Sequence, residues 1–432
     1  MLSTEELHKI YLSCEQQVCT DTRKITKGCL FICLTGSNFD GNEFALKALE
    51  LGAKAVLTSR ESLAQESTIY NTQNTLKALQ KLSTLHRSTF TYSVLGIGGS
   101  NGKTTTKEYC SIVANSSYTS YATPGNFNNH IGLPLSILNT PKACNAAIYE
   151  MGTNHPGEMQ ELSDICQAGI VLVTNIGKEH LEGFGSIEAI AKEESVLLDY
   201  ALKNNKTAII NADDPWLGNM AKRLTNTISF GIENAADVNG IIHESMPFDK
   251  FSIKNNGKEY GPYQLQTGGE YNVLNALSAI AYGLLLKIDI DTAAKQCEKY
   301  IPENNRSQWL QKGKHTIWLD AYNANPKSVE LTLKEFAKLS GSKTAILGDM
   351  FEMGDHALNE HLAIISLAKE LGLAETYFCG EFYYEAAPNH PYVFKNKEDL
   401  ASHFNKSQKW NDTILLKGSR GMKIETFLDV IV

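Results

Sequence analysis

The chain has 432 residues, 42% hydrophobic and 20% charged, an ordinary globular composition whose length predicts about three domains. A formal net charge of -8 and a pI of 5.8 argue against a nucleic-acid partner, which would need a basic face, but leave room for anions held by local amides and lysines. The polar N-terminus lacks the apolar core of a signal peptide, no stretch approaches the roughly 20 apolar residues of a membrane helix, and the nine Cys are scattered without paired spacing, so a cytoplasmic protein with reduced thiols is expected.

Strands and helices alternate along the chain, the pattern of α/β architecture. Residues 1–88 read as a small first domain. Its strand candidates are Leu30 to Leu34 and Ala53 to Leu57, with helices over Asn42 to Leu51 and Thr72 to His86. Residues 89–305 read as a central domain with strands at Tyr92 to Ile97, Ala146 to Tyr149, Ile170 to Thr174 and Thr207 to Asn211. A Gly- and Asn-rich stretch over 235–268 reads as antiparallel β, and Tyr271 to Leu286 as an apolar helix. Residues 306–432 alternate again and read as a separate doubly wound domain. Its strands fall at Thr316 to Leu319, Thr344 to Leu347, Thr376 to Cys379 and Thr413 to Leu416. Its helices fall at Ser328 to Leu339, at Leu358 to Leu371 and from the last strand to the end.

The sharpest motif is Gly96-Ile-Gly-Gly-Ser-Asn-Gly-Lys-Thr104, between an apolar strand and a helix over Thr105 to Asn115. That is the setting of a phosphate-binding loop. Glycines let the backbone curl so that N–H groups point at phosphate oxygens, and the helix N-terminus adds its dipole. Gly99, Ser100, Asn101, Gly102, Lys103, Thr104 and Thr105 are the nucleotide-binding candidates. Lys103 is expected at the β- and γ-phosphates and the Thr104 hydroxyl on Mg²⁺. The strict form of the motif wants Gly at position 97; this chain has Ile97, with glycines at 96, 99 and 102 instead.

A phosphate loop says nucleotide and leaves the reaction open. Glu150 ends a strand beside the loop strand, a good place for a hard-cation ligand. His180 follows another strand in a Gly-rich loop and reads as a metal or catalytic candidate, whereas its neighbours Lys178 and Glu179 read as solvated flank. Asn126, Asn128 and Asn129, in the loop Pro124 to Pro134, offer amide donors and acceptors for an oligopeptide or sugar.

Together these motifs resemble the Mur ligase family. The loop Gly96 to Thr104, the element Glu150-Met-Gly152 with Asn154, His155, Gly157 and Glu158, and the histidine loop His180 to Gly185 carry the likeness in the central region. Gly269 to Leu277, Asp320 to Pro326, Leu347 to Gly354 and Leu416 to Arg420 carry it further. The resemblance implies three domains: a small α/β uridine-binding domain, a central parallel-sheet ATPase domain and a C-terminal Rossmann-like domain. The Asn126 loop, Tyr322-Asn-Ala-Asn-Pro326 and the Lys417-Gly-Ser-Arg420 ending are similar to those of the member that adds D-alanyl-D-alanine to UDP-MurNAc-tripeptide through an acyl phosphate.

That resemblance implies ATP and Mg²⁺ as cofactors, two small-molecule substrates and a monomer. Lys103, Glu150 and His180 are the implied catalytic residues. Thr104 and Glu150 are implied on one Mg²⁺ and His180 on a second. Asn272 and Asn275 are placed near adenine, and Arg306 and Asp320 complete the ATP site on domain closure. Thr22, Arg23, Asp40 and Gly41 are implied at the uridine end. Asn126, Asn128, Asn129, Tyr322, Asn323 and Asn325 are implied at the peptide end. Two departures stand out. Asn42 occupies a position where the family commonly has His, and Glu194 stands where many members carry a carbamylated lysine. Glu194 is expected to supply a metal-binding carboxylate itself, with Lys192, two residues earlier and so about 200° around a helix, facing away. A related three-domain ligase such as a folylpolyglutamate synthase is the alternative.

Overall fold

Apolar runs of four to six residues, each closed by a polar or glycine-rich turn, become strands of three main sheets in a mixed α/β architecture. The structure is a computed structural model that describes residues 2–64, 66–407 and 410–431. Among the described residues no helix is long and apolar enough to cross a membrane.

The first sheet is parallel, in the order Val18–Cys19, Leu30–Ile32, Ala55–Thr58, Ile69–Asn71. Its central strands are buried throughout, as expected of a parallel sheet covered on both faces. The polar N-terminus, which the hydrophobic pattern leaves without an element, is a helix, Thr4–Ser13, opened by a capping box between Ser3 and Glu6. The helix expected over Asn42 to Leu51 is split into a 3-10 turn, Gly41–Phe44, and a short α-helix, Ala45–Glu50. This unit docks on the central region through Leu135 and Leu138, and Tyr11 donates to the Leu138 carbonyl at 2.7 Å.

The central sheet has nine strands. From one edge they run Lys258–Gln264, Lys250–Asn255, Val238–Glu244, Thr227–Gly231, Thr207–Asn211, Ile170–Val173, Ser93–Gly98, Ala146–Glu150 and Ser120–Ala122. Strands from Val238–Glu244 to the Ser120–Ala122 edge are parallel, while the three-stranded end over 238–264 is antiparallel. The chain leaves Ser93–Gly98 toward one edge and returns to its other side at Ile170–Val173. That reversal opens a crevice at the carboxyl ends of these strands, where doubly wound sheets bind ligands.

The third sheet runs Gln308–Lys312, His315–Asp320, Thr413–Lys417, Lys343–Gly348, Thr376–Cys379, Val393–Phe394, parallel except for its first hairpin. The terminal helix expected after Thr413 to Leu416 is replaced by two 3-10 turns, Arg420–Met422 and Ile424–Asp429. Lys423 adopts a left-handed φ of 50° between them, which a helix cannot carry. Ile424 and Phe427, three apart, bury on the same side of a 3-10 turn. One apolar cluster runs from Ile210 and Leu217 through Trp318, Leu333 and Phe336, so the second and third sheets share a core.

Asp249 is a carboxyl enclosed in the central region. It is fully buried, one oxygen accepts from Gly269 N–H at 2.9 Å, and the other has no partner. Burial, reinforced by Glu335 and Glu270, pushes its carboxyl up to about 9 against a pull from the Gly269 bond. The folded state therefore holds this proton more tightly than the unfolded chain. The contribution to stability is full below the unfolded value of 3.8 and is lost as pH rises toward about 9. Thermal unfolding across that window should show the decline, at most about 1.4 kcal/mol per pH unit from this group, and D249N should flatten it.

Candidate functional site

The loop after Ser93–Gly98 turns at Gly99 and Gly102, with φ of 109° and 81°. A side chain at Gly99 would meet Thr174 Oγ1 at 2.3 Å, and one at Gly102 would meet Asn275 Oδ1 at 2.6 Å, so both positions require glycine. Ile97, the departure from the strict motif, is a fully buried strand residue.

The first part of the loop is bound inward. Gly99 N–H donates to Glu194 Oε2 at 2.6 Å, Ser100 N–H to the Asn175 carbonyl at 2.8 Å and Asn101 N–H to Asn175 Oδ1 at 3.2 Å. These three amides therefore shape the cradle instead of facing a phosphate, a correction to the expectation from the motif. Helix Lys103–Ala114 starts directly after, and the N–H groups of its first turn have no intrahelical acceptor, which leaves them for an anion.

Lys103 Nζ donates to the Gly99 carbonyl, to the Ser100 carbonyl at 3.1 Å and to Glu179 Oε2 at 3.4 Å. Burial works against its charge, but Glu179, Glu194 and Glu150 outweigh it and raise its pKa. Glu179 is thus no solvated flank: it is buried, its pKa is raised by burial against the pull of Lys103, and it is the loop lysine's ion-pair partner. Lys178 is exposed, as expected, and pairs with Glu360 of the third-sheet region at 2.5 Å.

Glu150 accepts at Oε1 from the Thr104 hydroxyl at 3.1 Å and from Asn128 Nδ2 at 2.9 Å. Its Oε2 is buried with no hydrogen-bond partner. That orphaned oxygen beside a threonine hydroxyl fits a hard divalent cation, which takes one or two protein oxygens and completes its shell with phosphate and water. His180 has a left-handed φ of 45° and its Nε2 lies 3.8 Å from Glu179 Oε2. Burial disfavours its protonation, but Glu352 and Glu179 outweigh this and raise its pKa. Glu194 takes a different place from the one expected. It is buried beneath the loop, holding Gly99 and accepting from Thr153 Oγ1 at 3.2 Å, and it does not line the cavity. Shorter than a carbamyl-lysine, it reaches the loop backbone and the Thr153 hydroxyl. Burial, with Glu179 adding to it, pushes its carboxyl up to about 7. Lys192 is exposed, on the opposite side of helix Ile187–Lys203.

These groups open into a cavity of about 1190 Å³, lined by Ser100 to Thr105, the Asn126 loop, Glu150, His180, Asn272 and Asn275 from the central region. The third-sheet region adds Arg306, Asp320, Tyr322, Asn323 and Asn325. Asn325 reaches across to the loop, donating to Asn101 Oδ1 at 2.8 Å, and caps helix Pro326–Lys338. Asp320 pairs with Lys417 at 2.5 Å, and the Arg306 guanidinium stacks on the Tyr322 ring at 3.4 Å. Asn272 and Asn275 are buried behind the loop, Asn275 accepting from Thr106 at 3.2 Å.

Thr22, Arg23, Asp40 and Gly41 lie outside this cavity, in the first-sheet unit. Arg23 projects into solvent and pairs with Asp21; Asp40 is held by Arg60 and by Asn42 N–H at 2.9 Å. Asn42 is buried, accepting from Thr58 Oγ1 at 2.6 Å and donating to Asp40 at 2.6 Å, so it organises this turn from inside.

Known proteins share the sequence pattern and the fold. Residues 97–283 match the Mur ligase middle domain, 305–420 the Mur ligase glutamate ligase domain and 16–86 the Mur ligase family catalytic domain. The UDP-N-acetylmuramoyl-tripeptide--D-alanyl-D-alanine ligase of Bacillus subtilis (strain 168) is 34% identical over 429 residues, covering 96% of this chain and 93% of that protein. The chain belongs to the Mur ligase family. MurF from Acinetobacter baumannii superposes with a TM-score of 0.87 at 27% identity, over 96% of this chain and 92% of that one. The MurF ligase from Thermotoga maritima, solved in complex with ADP, shares the fold with a TM-score of 0.85 at 24% identity, over 96% and 97%.

Beside the cavity lies a residue that the motifs did not single out. Lys107 is fully buried. Its Nζ donates to the Thr123 and Gly125 carbonyls at 2.7 and 2.9 Å and lies 3.6 Å from Glu150 Oε2. It thereby ties the Asn126 loop to the phosphate-loop helix. Its spacing of four from Lys103 puts both on one helix face, a signal available in the sequence. Removing its charge strands Glu150. K107M is expected to lower stability by about 3 kcal/mol in denaturant unfolding, and E150Q in the same chain to restore part of it.

Proposed function

We propose that this Mur ligase joins D-alanyl-D-alanine to UDP-N-acetylmuramoyl-tripeptide, driven by ATP, in peptidoglycan precursor synthesis. The observation that carries the reading is the shared cavity. A phosphate loop ending in Lys103, the acids Glu150 and Glu179, and His180 face Arg306, Asp320 and Tyr322 across a space large enough for more than one substrate. The Bacillus subtilis relative, named for this reaction, matches almost end to end.

In this reading residues 1–88 take the UDP end through Thr22, Arg23, Asp40 and Gly41, residues 89–305 hold ATP, and residues 306–432 complete the site. An oxygen of the tripeptide carboxylate attacks the γ-phosphorus, the bond to the β-phosphate oxygen breaks and ADP departs. The acyl phosphate is now a good electrophile. The D-alanyl amine adds to its carbonyl carbon and loses a proton, the C–O bond to phosphate breaks, and amide and inorganic phosphate result.

Lys103 and the first-turn N–H groups of Lys103–Ala114 would neutralise charge on the transferred phosphoryl group, and the Asn126 loop would orient the peptide. Thr104 and Glu150 would hold Mg²⁺, with His180 at a second position, and the ion supplies charge neutralisation between phosphates and carboxylates. The site calls for such a cation, because Glu150 Oε2, with no hydrogen-bond partner, stands beside the Thr104 hydroxyl where a triphosphate must enter. Docking of the third-sheet region on the loop would exclude water from the acyl phosphate.

The test is release of ADP and phosphate with a panel of UDP-MurNAc-tripeptides and D-alanyl-D-alanine, each omitted in turn, with the amide product identified by mass. K103A should lose at least about 100-fold in kcat. Turnover stimulated by a folate, with the muramoyl nucleotide inert, would instead identify a folylpolyglutamate synthase. Full amide formation by K103A would remove the loop from the mechanism.

A further inference from the structure

Glu352, in the motif Leu347 to Gly354, has no part in the chemistry above, yet it touches the reaction site from the opposite domain. Its carboxylate accepts from Nδ1 of His180, and its backbone carbonyl accepts from Glu182 N–H at 3.1 Å. Next to it, a side chain at Gly354 would sit 3.2 Å from Glu182 Cα, and His356 Nε2 lies 3.2 Å from the Gly185 carbonyl. The loop carrying Glu352 is braced from behind. Met350 N–H donates to His361 Nε2 at 3.0 Å, Phe351 N–H to Ser419 Oγ at 3.0 Å, and Ser419 N–H to the Asp349 carbonyl at 3.2 Å. The Lys417-Gly-Ser-Arg420 ending therefore supports this loop through Ser419.

Both partners hold left-handed backbone, His180 at φ 45° and Glu352 at φ 63°. Neither is a glycine, and such conformations persist where the surroundings over-determine them, most often at functional sites. A carboxylate on Nδ1 also has a specific chemical consequence. It keeps the proton on that nitrogen, leaves Nε2 clear of Glu352, and fixes the plane of the ring. Nε2 is the nitrogen near Glu179, and His180 lines the cavity.

We propose that Glu352 is a positioning residue that orients His180 across the domain interface, so that Nε2 is presented to the reaction cavity only while the C-terminal region is docked. The contact makes docking a condition for a correctly aimed imidazole. It rests on the reading of His180 as a residue of the ligase site. Half of the Glu352 side chain is exposed, so replacing it removes the contact without opening a core.

The experiment compares E352A, E352Q, H180A and H180A/E352A in the ligase assay, with amide exchange followed in the same proteins. E352A should lower kcat about 10- to 100-fold with KM for ATP nearly unchanged, and E352Q, which keeps an acceptor, should recover most of the loss. In the H180A background E352A should cost no more than about twofold, because its partner is already gone. Amide exchange over 181–185 should quicken in E352A, with the unfolding midpoint moved by no more than about 2 °C. Where H180A is too slow to assay, the exchange result decides. Wild-type kcat in E352A, an equal loss in both backgrounds, or unchanged exchange over 181–185 would overturn the proposal. A wild-type protein that makes no amide would sink the ligase reading instead, while exchange still reads the contact.

Discussion

The ammonium of Lys103, largely but not wholly covered, interacts with Glu179, Glu194 and Glu150, and much of the site follows from keeping that arrangement tolerable. A lone buried charge is expensive, so the ion needs acceptors. It finds them in the carbonyls of its own loop and in Glu179. The acids in turn need donors: Glu194 takes Gly99 N–H and Thr153, and Glu150 takes Thr104, Asn128 and the nearby charge of Lys107. The result is a loop shaped before any ligand arrives. Its first three amides are committed to the protein, and the next helix turn faces the cavity.

Sheet topology puts this network where a ligand can reach it. The loop strand lies at the reversal of strand order, so Glu150 on one neighbouring strand and Asn175 after the other flank the same crevice. The third sheet then closes the open side, sharing an apolar core around Trp318, reaching the phosphate loop through Asn325 and the histidine loop through Lys178–Glu360 and Glu352–His180. The contacts at the rim are polar, and the core shared behind it is apolar.

Much of the fold was legible because periodicity is local. The strands Thr207–Asn211 and Thr376–Cys379 fall where the apolar runs put them, and others shift by a residue or two. The N-terminal helix escaped because only its capping box, not its weak apolar stripe, announces it. The terminal helix failed because a left-handed residue at Lys423 is invisible to hydrophobic pattern. Lys107 was readable in principle from its spacing, but a lysine four residues past another usually faces water, and nothing local says that this one is buried.

By itself the sequence determined the phosphate loop, since Gly99, Gly102 and the Lys103-Thr104 pair act through the backbone geometry of nine consecutive residues. It also determined the alternation of strand and helix, which depends on neighbours within a turn or two. Only the tertiary structure decided the roles of the acids. Glu179 beside His180 reads as a solvated charge until strand order buries it on Lys103, and Glu194 reads as a ligand until its length and the helix position bring it to Gly99 instead. The same holds for Glu352, 172 positions from His180 in the chain and in contact with it in space. Charge depends on surroundings from distant segments, and those surroundings exist only once the sheets are assembled.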